Sequence, residues 1–234
     1  MMLGTERLYN IDAYIKRFDA TIIGLNDEGV ILDRTSFYPE GGGQAGDTGF
    51  INRFRVKDTR FIGDEIVHIL EESRRLNVGE RVKGEIDWER RYNIMRLHSA
   101  AHIMEFFLFK TFGTLRRIGS YVNEVKDRAD YEYDGKMSVE ALKVVEAETN
   151  RFISESHPIV IYLDPSNVNL RIWKCSWMEM PCGGTHVKNT REIGSIRLKR
   201  KNPGRGVERV ETYLAEPSNT AHERLLNNRT LKEL

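Results

Sequence analysis

Two short stretches of this 234-residue sequence carry side chains that together can hold a metal ion. In "RLHSAAHIM", His98 and His102 stand four apart, and on a helix that spacing puts both imidazoles on one face about one turn from each other. In "MPCGGTHVKNT", Cys182 and His186 are again four apart, but Gly183 and Gly184 between them make a regular helix or strand unfavourable. A flexible turn therefore carries a thiolate and an imidazole, the complement that two helical histidines need to complete a tetrahedral Zn²⁺ site. The two pairs use half of the chain's six His and two Cys residues. His68, His157, His222 and Cys175 lack such spacing and read as core or surface residues. Three protein ligands and a water would make the zinc catalytic, whereas four would close it against water activation, and the spacing is compatible with both.

Holding these residues in place requires a helix around residues 98–102 and a sheet to deliver the 182–186 turn. From Asp87, a possible cap, the sequence predicts a helix over Trp88 to about Phe112, with Gly113 as its stop and Ile94, Leu97, Ala101, Met104 and Leu108 as its apolar stripe. A second helix is expected from Val139 to about Glu155, capped by Ser138, with Val139, Leu142, Val145, Thr149 and Phe152 facing inward. Strand-like runs follow at "PIVIYL", "NLRIW", "IGSIRLKR" and "GVERVETYL", and the tail from Ser218 reads as helical. Upstream, "ATIIGLNDEGVILDRT" reads as a hairpin, followed by runs at "TGFINRFRV", "EIVHILE" and "RVKGEIDW". The pattern implies an α+β chain: a small β-barrel over residues 1–86, then an α/β zinc-containing domain over 87–234.

Composition narrows the functional classes. The chain is 40% hydrophobic and 30% charged with a net charge of +1, so any nucleic-acid binding must come from local basic patches rather than from overall charge. No signal-like start and no run of about 20 apolar residues occurs, which places the protein in the cytosol, away from membranes. A reducing compartment argues against a disulfide between Cys175 and Cys182.

At its chemically distinctive residues the chain resembles a known family. "RLHSAAHIM" and "PCGGTHVKNTREIGSI" are similar to the editing domain of alanyl-tRNA synthetase and the related domain of threonyl-tRNA synthetase. "RRIGSYVNEVKDRADYEY" resembles the Gly-Ser turn and acidic-aromatic strand of that domain, "GRGVERVETY" its closing hairpin, and "RTSFYPEGGGQAGDTGFI" the glycine-rich segment that precedes it. We find no aminoacylation machinery of a class II synthetase in these residues. The resemblance is therefore to the freestanding alanyl-tRNA editing (AlaX) proteins, in the form that carries the glycine-rich barrel. It implies a cytoplasmic hydrolase of translation fidelity that deacylates Ser-tRNA(Ala), with activity on Gly-tRNA(Ala) left open. It also maps the family's four zinc ligands one for one onto His98, His102, Cys182 and His186. Arg117 departs from the glutamine that the synthetase domains commonly carry just before the Gly-Ser turn.

Serine exceeds alanine by one hydroxyl, and a site built to bond that hydroxyl discriminates better than an apolar pocket. Polar and flexible residues expected near the metal are thus the substrate contacts: Gly41, Gly42, Gly43, Gln44, Arg117, Ser120 and Thr185, with Gln44 acting on the substrate rather than on the metal. Basic residues expected to meet tRNA phosphates are Arg90, Arg91, Arg96, Arg116, Lys199, Arg200, Lys201 and Arg205. Composition alone equally allows a zinc-stapled module that binds tRNA or another partner without hydrolysis, or a hydrolase of a small ester. Monomer and homodimer are both compatible with the sequence.

Overall fold

A computed structural model describes residues 4–71, 76–204 and 206–215. The chain runs β1 (Glu6–Arg7), α1 (Leu8–Ile11), β2 (Arg17–Leu25), β3 (Gly29–Leu32), β4 (Arg34–Thr35), β5 (Gly49–Ile51), β6 (Phe54–Ile62), β7 (Glu65–Leu70) and β8 (Arg81–Ile86). The expected hairpin is present: Asn26 closes the turn between β2 and β3 by accepting the N–H groups of Glu28 and Gly29. Strands β2, β3, β7, β6, β5 and β8 bond in that order, and β8 pairs back onto β2, so six antiparallel strands form a closed barrel. Phe18, Ile22, Leu32, Ile51, Val56 and Val82 are among the residues that fill it; β2 and β8 alternate buried with exposed positions, whereas β3 is buried throughout.

Beyond the barrel come α2 (Trp88–Phe112), β9 (Arg116–Val122), β10 (Asp127–Glu132), α3 (Val139–Ser154), β11 (Ile159–Asp164), β12 (Asn167–Cys175), β13 (Met178–Pro181), β14 (Ile196–Gly204) and β15 (Val207–Leu214). Four antiparallel strands form a sheet in the order β14-β15-β10-β9, and β11-β12-β13 form a second sheet. Met104, Leu108, Val145, Phe152, Tyr131, Trp173 and Val210 meet in one core between α2, α3 and the strands. Among the described residues no helix is long and apolar enough to cross a membrane.

Most element boundaries match the expectations, and the departures have physical causes. Asp87 precedes α2 but makes no side-chain cap; its carboxylate instead accepts from Arg55 and Thr48 on the barrel. The α2 stripe is wider than expected, because Met95, Ala100, Ile103 and Phe107 are buried as well: the helix lies between α3 and the four-stranded sheet. Ser138 does cap α3, accepting from the Ala141 N–H, but Val139 is half exposed rather than part of the buried stripe. Gly119 and Ser120 lie inside β9, not in a turn. Cys175 and Cys182 are both free. The tail from Ser218 lies outside the described residues.

One buried ion pair joins the barrel to α2. The Arg91 guanidinium donates to both oxygens of Asp47, to Ala13 O at 3.0 Å and to Ser36 O at 2.7 Å, and it is fully buried. Asp47 in turn accepts the Tyr38 N–H at 2.6 Å. Sequence reasoning assigned Arg91 to tRNA phosphates; its burial overturns that assignment, and its charge serves to tie three barrel-side segments to the first turn of α2. Arg91→Ala would leave the Asp47 carboxylate buried without a counter-charge, a change expected to cost about 3–5 kcal/mol. Urea unfolding of the two proteins measures this, and a loss below about 1 kcal/mol would contradict the assigned role.

Candidate metal centre

His98 and His102 project from one face of α2, as their spacing requires, with ring centroids 4.9 Å apart. Cys182 follows β13, its N–H bonded to Arg171 O at 2.9 Å, so the register of β12 with β13 sets where the turn begins. The turn then brings His186 back over α2, 4.2 Å from the His98 ring. Donor atoms of His98, His102, Cys182 and His186 all lie within 4.8 Å of one another. Cys182 Sγ is 3.5 Å from His98 Nε2 and 3.2 Å from His186 Nε2. With metal–ligand bonds of about 2.0–2.3 Å, neighbouring corners of a tetrahedron stand about 3.3–3.7 Å apart, close to these separations.

The His98 and His186 rings present the same atom inward. Nδ1 of His98 donates to Gln44 Oε1 at 2.9 Å, and Nδ1 of His186 pairs with Ser99 Oγ at 3.2 Å, which leaves Nε2 of each turned to Cys182 Sγ. His102 Nε2 is buried with no hydrogen-bond partner among the described residues, an orphan that a cation would satisfy. Burial holds the His98 imidazole down to about 4, with the Arg117 charge adding to the effect, and it holds His102 and His186 well below the ordinary histidine value. All three are thus neutral near pH 7, the state in which imidazole binds metal. Burial raises the Cys182 thiol, opposed by a backbone N–H and by Arg171 and Arg117. The donor set, the separations and the orphaned nitrogen all fit a tetrahedral ion.

Gln44 is fully buried, and its side chain accounts for every polar atom it has near the centre. Besides the His98 bond, Oε1 accepts the Thr185 N–H at 2.9 Å and Nε2 donates to Thr185 Oγ1 at 2.9 Å. The glycines on both sides make this approach feasible. A Cβ at Gly184 would fall 2.3 Å from His98 Cε1 and 2.7 Å from Gln44 Oε1, so no other residue fits there. Gly43, at φ +83°, lets the loop lie against β9, with its carbonyl accepting the Val122 N–H at 2.7 Å. Gly41 and Gln44 exchange two backbone bonds that close the turn through Gly42.

The residues expected to touch substrate therefore divide. Gln44 bonds the His98 ring and Thr185 bonds Gln44, whereas Ser120 is half-buried beside Gly43 and Arg117 stands at the exposed end of β9. Arg117 donates to both oxygens of Glu105 at 3.1 Å, and Glu105 also accepts from the buried Tyr131 hydroxyl. The residues expected to meet phosphates divide too. Arg90 donates to Gly46 O and pairs with Glu124, Arg96 donates to Ile193 O, Arg116 pairs with Glu132, and Arg200 pairs with the fully buried Glu208. Lys199 and Lys201 are exposed on β14, and Arg205 lies outside the described residues. Sequence reasoning missed Ser99, Glu105 and Arg171. Ser99 had one readable signal, its place beside His98 on the same helix; the other two are brought in by strand register and packing.

Wild-type protein is expected to bind one equivalent of metal, and Cys182→Ala to lose stoichiometric binding after dialysis. A retained full equivalent, by metal analysis, would remove Cys182 from the centre. Gln44→Ala should weaken metal affinity by about 10- to 100-fold, because the partner that orients His98 is gone. Chelator competition measures it, and an unchanged dissociation constant would return Gln44 to the role of a pure substrate contact.

Comparison with known proteins agrees with this geometry. Residues 8–90 match the model of class II (A) tRNA synthetases, and residues 170–211 match that of the second additional domain of threonyl- and alanyl-tRNA synthetases. The alanine–tRNA ligase of Saccharolobus islandicus (strain M.14.25 / Kamchatka #1) is 36% identical over 242 residues, an alignment covering 92% of this chain but only 27% of the ligase. The alanyl-tRNA editing protein AlaX-M of Pyrococcus horikoshii is 34% identical over 219 residues, covering 92% of this chain and 100% of that protein. AlaX-M of Saccharolobus solfataricus is 36% identical over 242 residues, covering 91% of this chain and likewise 100% of its own length. Aligned over about nine-tenths of its length with AlaX-M proteins that are themselves covered in full, the chain belongs to the alanyl-tRNA editing protein family.

Proposed function

We propose that the protein hydrolyses the aminoacyl ester of mischarged tRNA(Ala) in trans, removing serine, with one Zn²⁺ held by His98, His102, Cys182 and His186. The observation that carries this reading is the convergence of those four donors on a buried point next to the glycine-rich loop, in a chain of the alanyl-tRNA editing family. Bound there by all four residues, zinc would have its tetrahedral positions filled, and it would polarise or anchor the substrate only where one ligand yields its place.

The chain's own residues supply orientation and discrimination. An ester is already activated relative to an amide, so positioning a water and stabilising the developing oxyanion suffice. Arg117, fixed by Glu105 and close enough for its charge to bear on His98, His102 and Cys182, offers a cation at the rim of the centre. Thr185 accepts from Gln44 through its hydroxyl oxygen and keeps its own proton to donate. That proton is a partner for the seryl hydroxyl, which alanine lacks, and leaving it unpaired against alanine is the source of selectivity. The domain arrangement follows: the barrel of residues 1–86 supplies the Gln44 loop, and residues 87–234 supply the metal ligands.

Incubation with Ser-tRNA(Ala), Ala-tRNA(Ala) and Ser-tRNA(Ser), with and without chelator, tests the reading. Selective loss of serine from tRNA(Ala), abolished by the chelator, is the expected result. Retention of every ester alongside measurable tRNA binding would instead make the protein a zinc-stapled binding module.

A further inference from the structure

We propose that the outer face of the sheet β14-β15-β10-β9 is a docking platform for the phosphate backbone of an RNA stem, whose 3′ end reaches the metal centre across β9. The inference rests on the reading that the substrate is an aminoacyl-tRNA, and it names the surface that holds the body of that substrate.

Strand register separates the two faces of this sheet. Ile196, Leu198, Ala129, Tyr131 and Val210 point into the core against α2 and α3. On the opposite face, Arg197 stands across from Tyr213, Lys199 is in line with Glu211, Arg128 and Tyr121, and Lys201 is in line with Arg209, Asp130 and Gly119. The acids of this face are already held: Arg209 donates to both oxygens of Asp130 at 2.6 and 2.9 Å, and Lys126 pairs with Glu211. Arg197, Lys199 and Lys201 are exposed, and no salt bridge among the described residues includes them or Arg128. Lys199 Nζ lies 4.8 Å above the Tyr213 ring, which holds an aromatic surface beside the cations.

This arrangement differs from the rest of the chain, whose net charge is only +1 and whose arginines near α2 are spent on internal partners. A face with its acids neutralised and its cations free has the charge that a polyphosphate recognises, and with strands about 4.8 Å apart it spans about 14 Å from β14 to β9. The commitment to RNA over an acidic protein follows from continuity with the centre. β9 is at once the edge of this face and the strand against which Gly43 packs, one residue before Gln44 and its bond to His98. A stem seated on the face therefore points its end at the metal.

The test compares wild type with an Arg197→Ala/Lys199→Ala/Lys201→Ala variant and a charge-matched control, Arg53→Ala/Lys57→Ala/Arg81→Ala, on exposed barrel positions. Affinity for uncharged tRNA(Ala) is measured across 50–200 mM salt, together with zinc content and hydrolysis of 3′-seryl-adenosine. We expect the sheet variant to bind tRNA at least tenfold more weakly, with a log–log salt slope shallower by about 1 for each phosphate contact removed. Zinc content and cleavage of the small ester should match wild type. An unchanged slope and affinity overturns the platform, and so does an equal loss in the barrel control. If wild type cleaves no ester, the function reading fails, and the binding comparison by itself still decides the fate of the platform.

Discussion

The bond from His98 Nδ1 to Gln44 Oε1 is the contact on which this molecule's organisation turns. It joins residues 54 apart in sequence, one on the barrel loop and one on α2, and the same oxygen also takes the Thr185 N–H from the turn that carries Cys182 and His186. Three distant segments thus share one acceptor. A histidine that donates through Nδ1 has only Nε2 left to offer a metal, so this bond fixes both the ring's orientation and its tautomer. Arg91 acts on the same junction from the other end, since its bonds to Asp47, Ser36 and Ala13 hold the barrel against the first turn of α2. The barrel is therefore part of the centre's second layer.

Legibility in the sequence followed the range of the interactions. The helices were readable because their signals are local: Gly113 at the end of α2, Ser138 at the start of α3, apolar residues at spacings of three and four. The barrel strands were readable from alternation and from the Asn26–Gly29 turn. The two halves of the His98, His102, Cys182 and His186 cluster were readable because each pair is four residues apart. What was not readable depends on contacts across long stretches of chain. Arg91 looks in sequence like its neighbour Arg90, yet the fold buries one completely and leaves the other at the surface beside Glu124. The sequence suggests Gln44 as a substrate contact, and only the fold brings its amide oxygen to the His98 ring. Arg200 and Lys199 are adjacent and both basic; strand alternation sends one to a buried glutamate and the other to water.

Charge sorting of this kind explains how a chain with nearly balanced acids and bases can present a basic surface. Arginines bound to backbone carbonyls and to buried carboxylates do structural work inside the fold, where their planar forks satisfy several acceptors at once. Arg197, Lys199 and Lys201 stay exposed on the sheet face. Overall charge then says little about partners, because it averages over two populations that the fold keeps apart.

The same economy governs the metal centre. Burying charge is costly, and the ligand set avoids that cost when empty: three imidazoles are kept neutral by burial, and the Cys182 thiol is pushed up by the same burial, toward its neutral form. Binding of a divalent cation reverses the balance at one residue only. The thiol would lose its proton to become a ligand, and the imidazoles would need no change, so a single negative charge would stand beside two positive ones. A fourth histidine would leave the full charge of the ion uncompensated among apolar neighbours such as Trp173, and a second cysteine would cancel it altogether. One thiolate among three imidazoles would leave a single residual positive charge at this buried point.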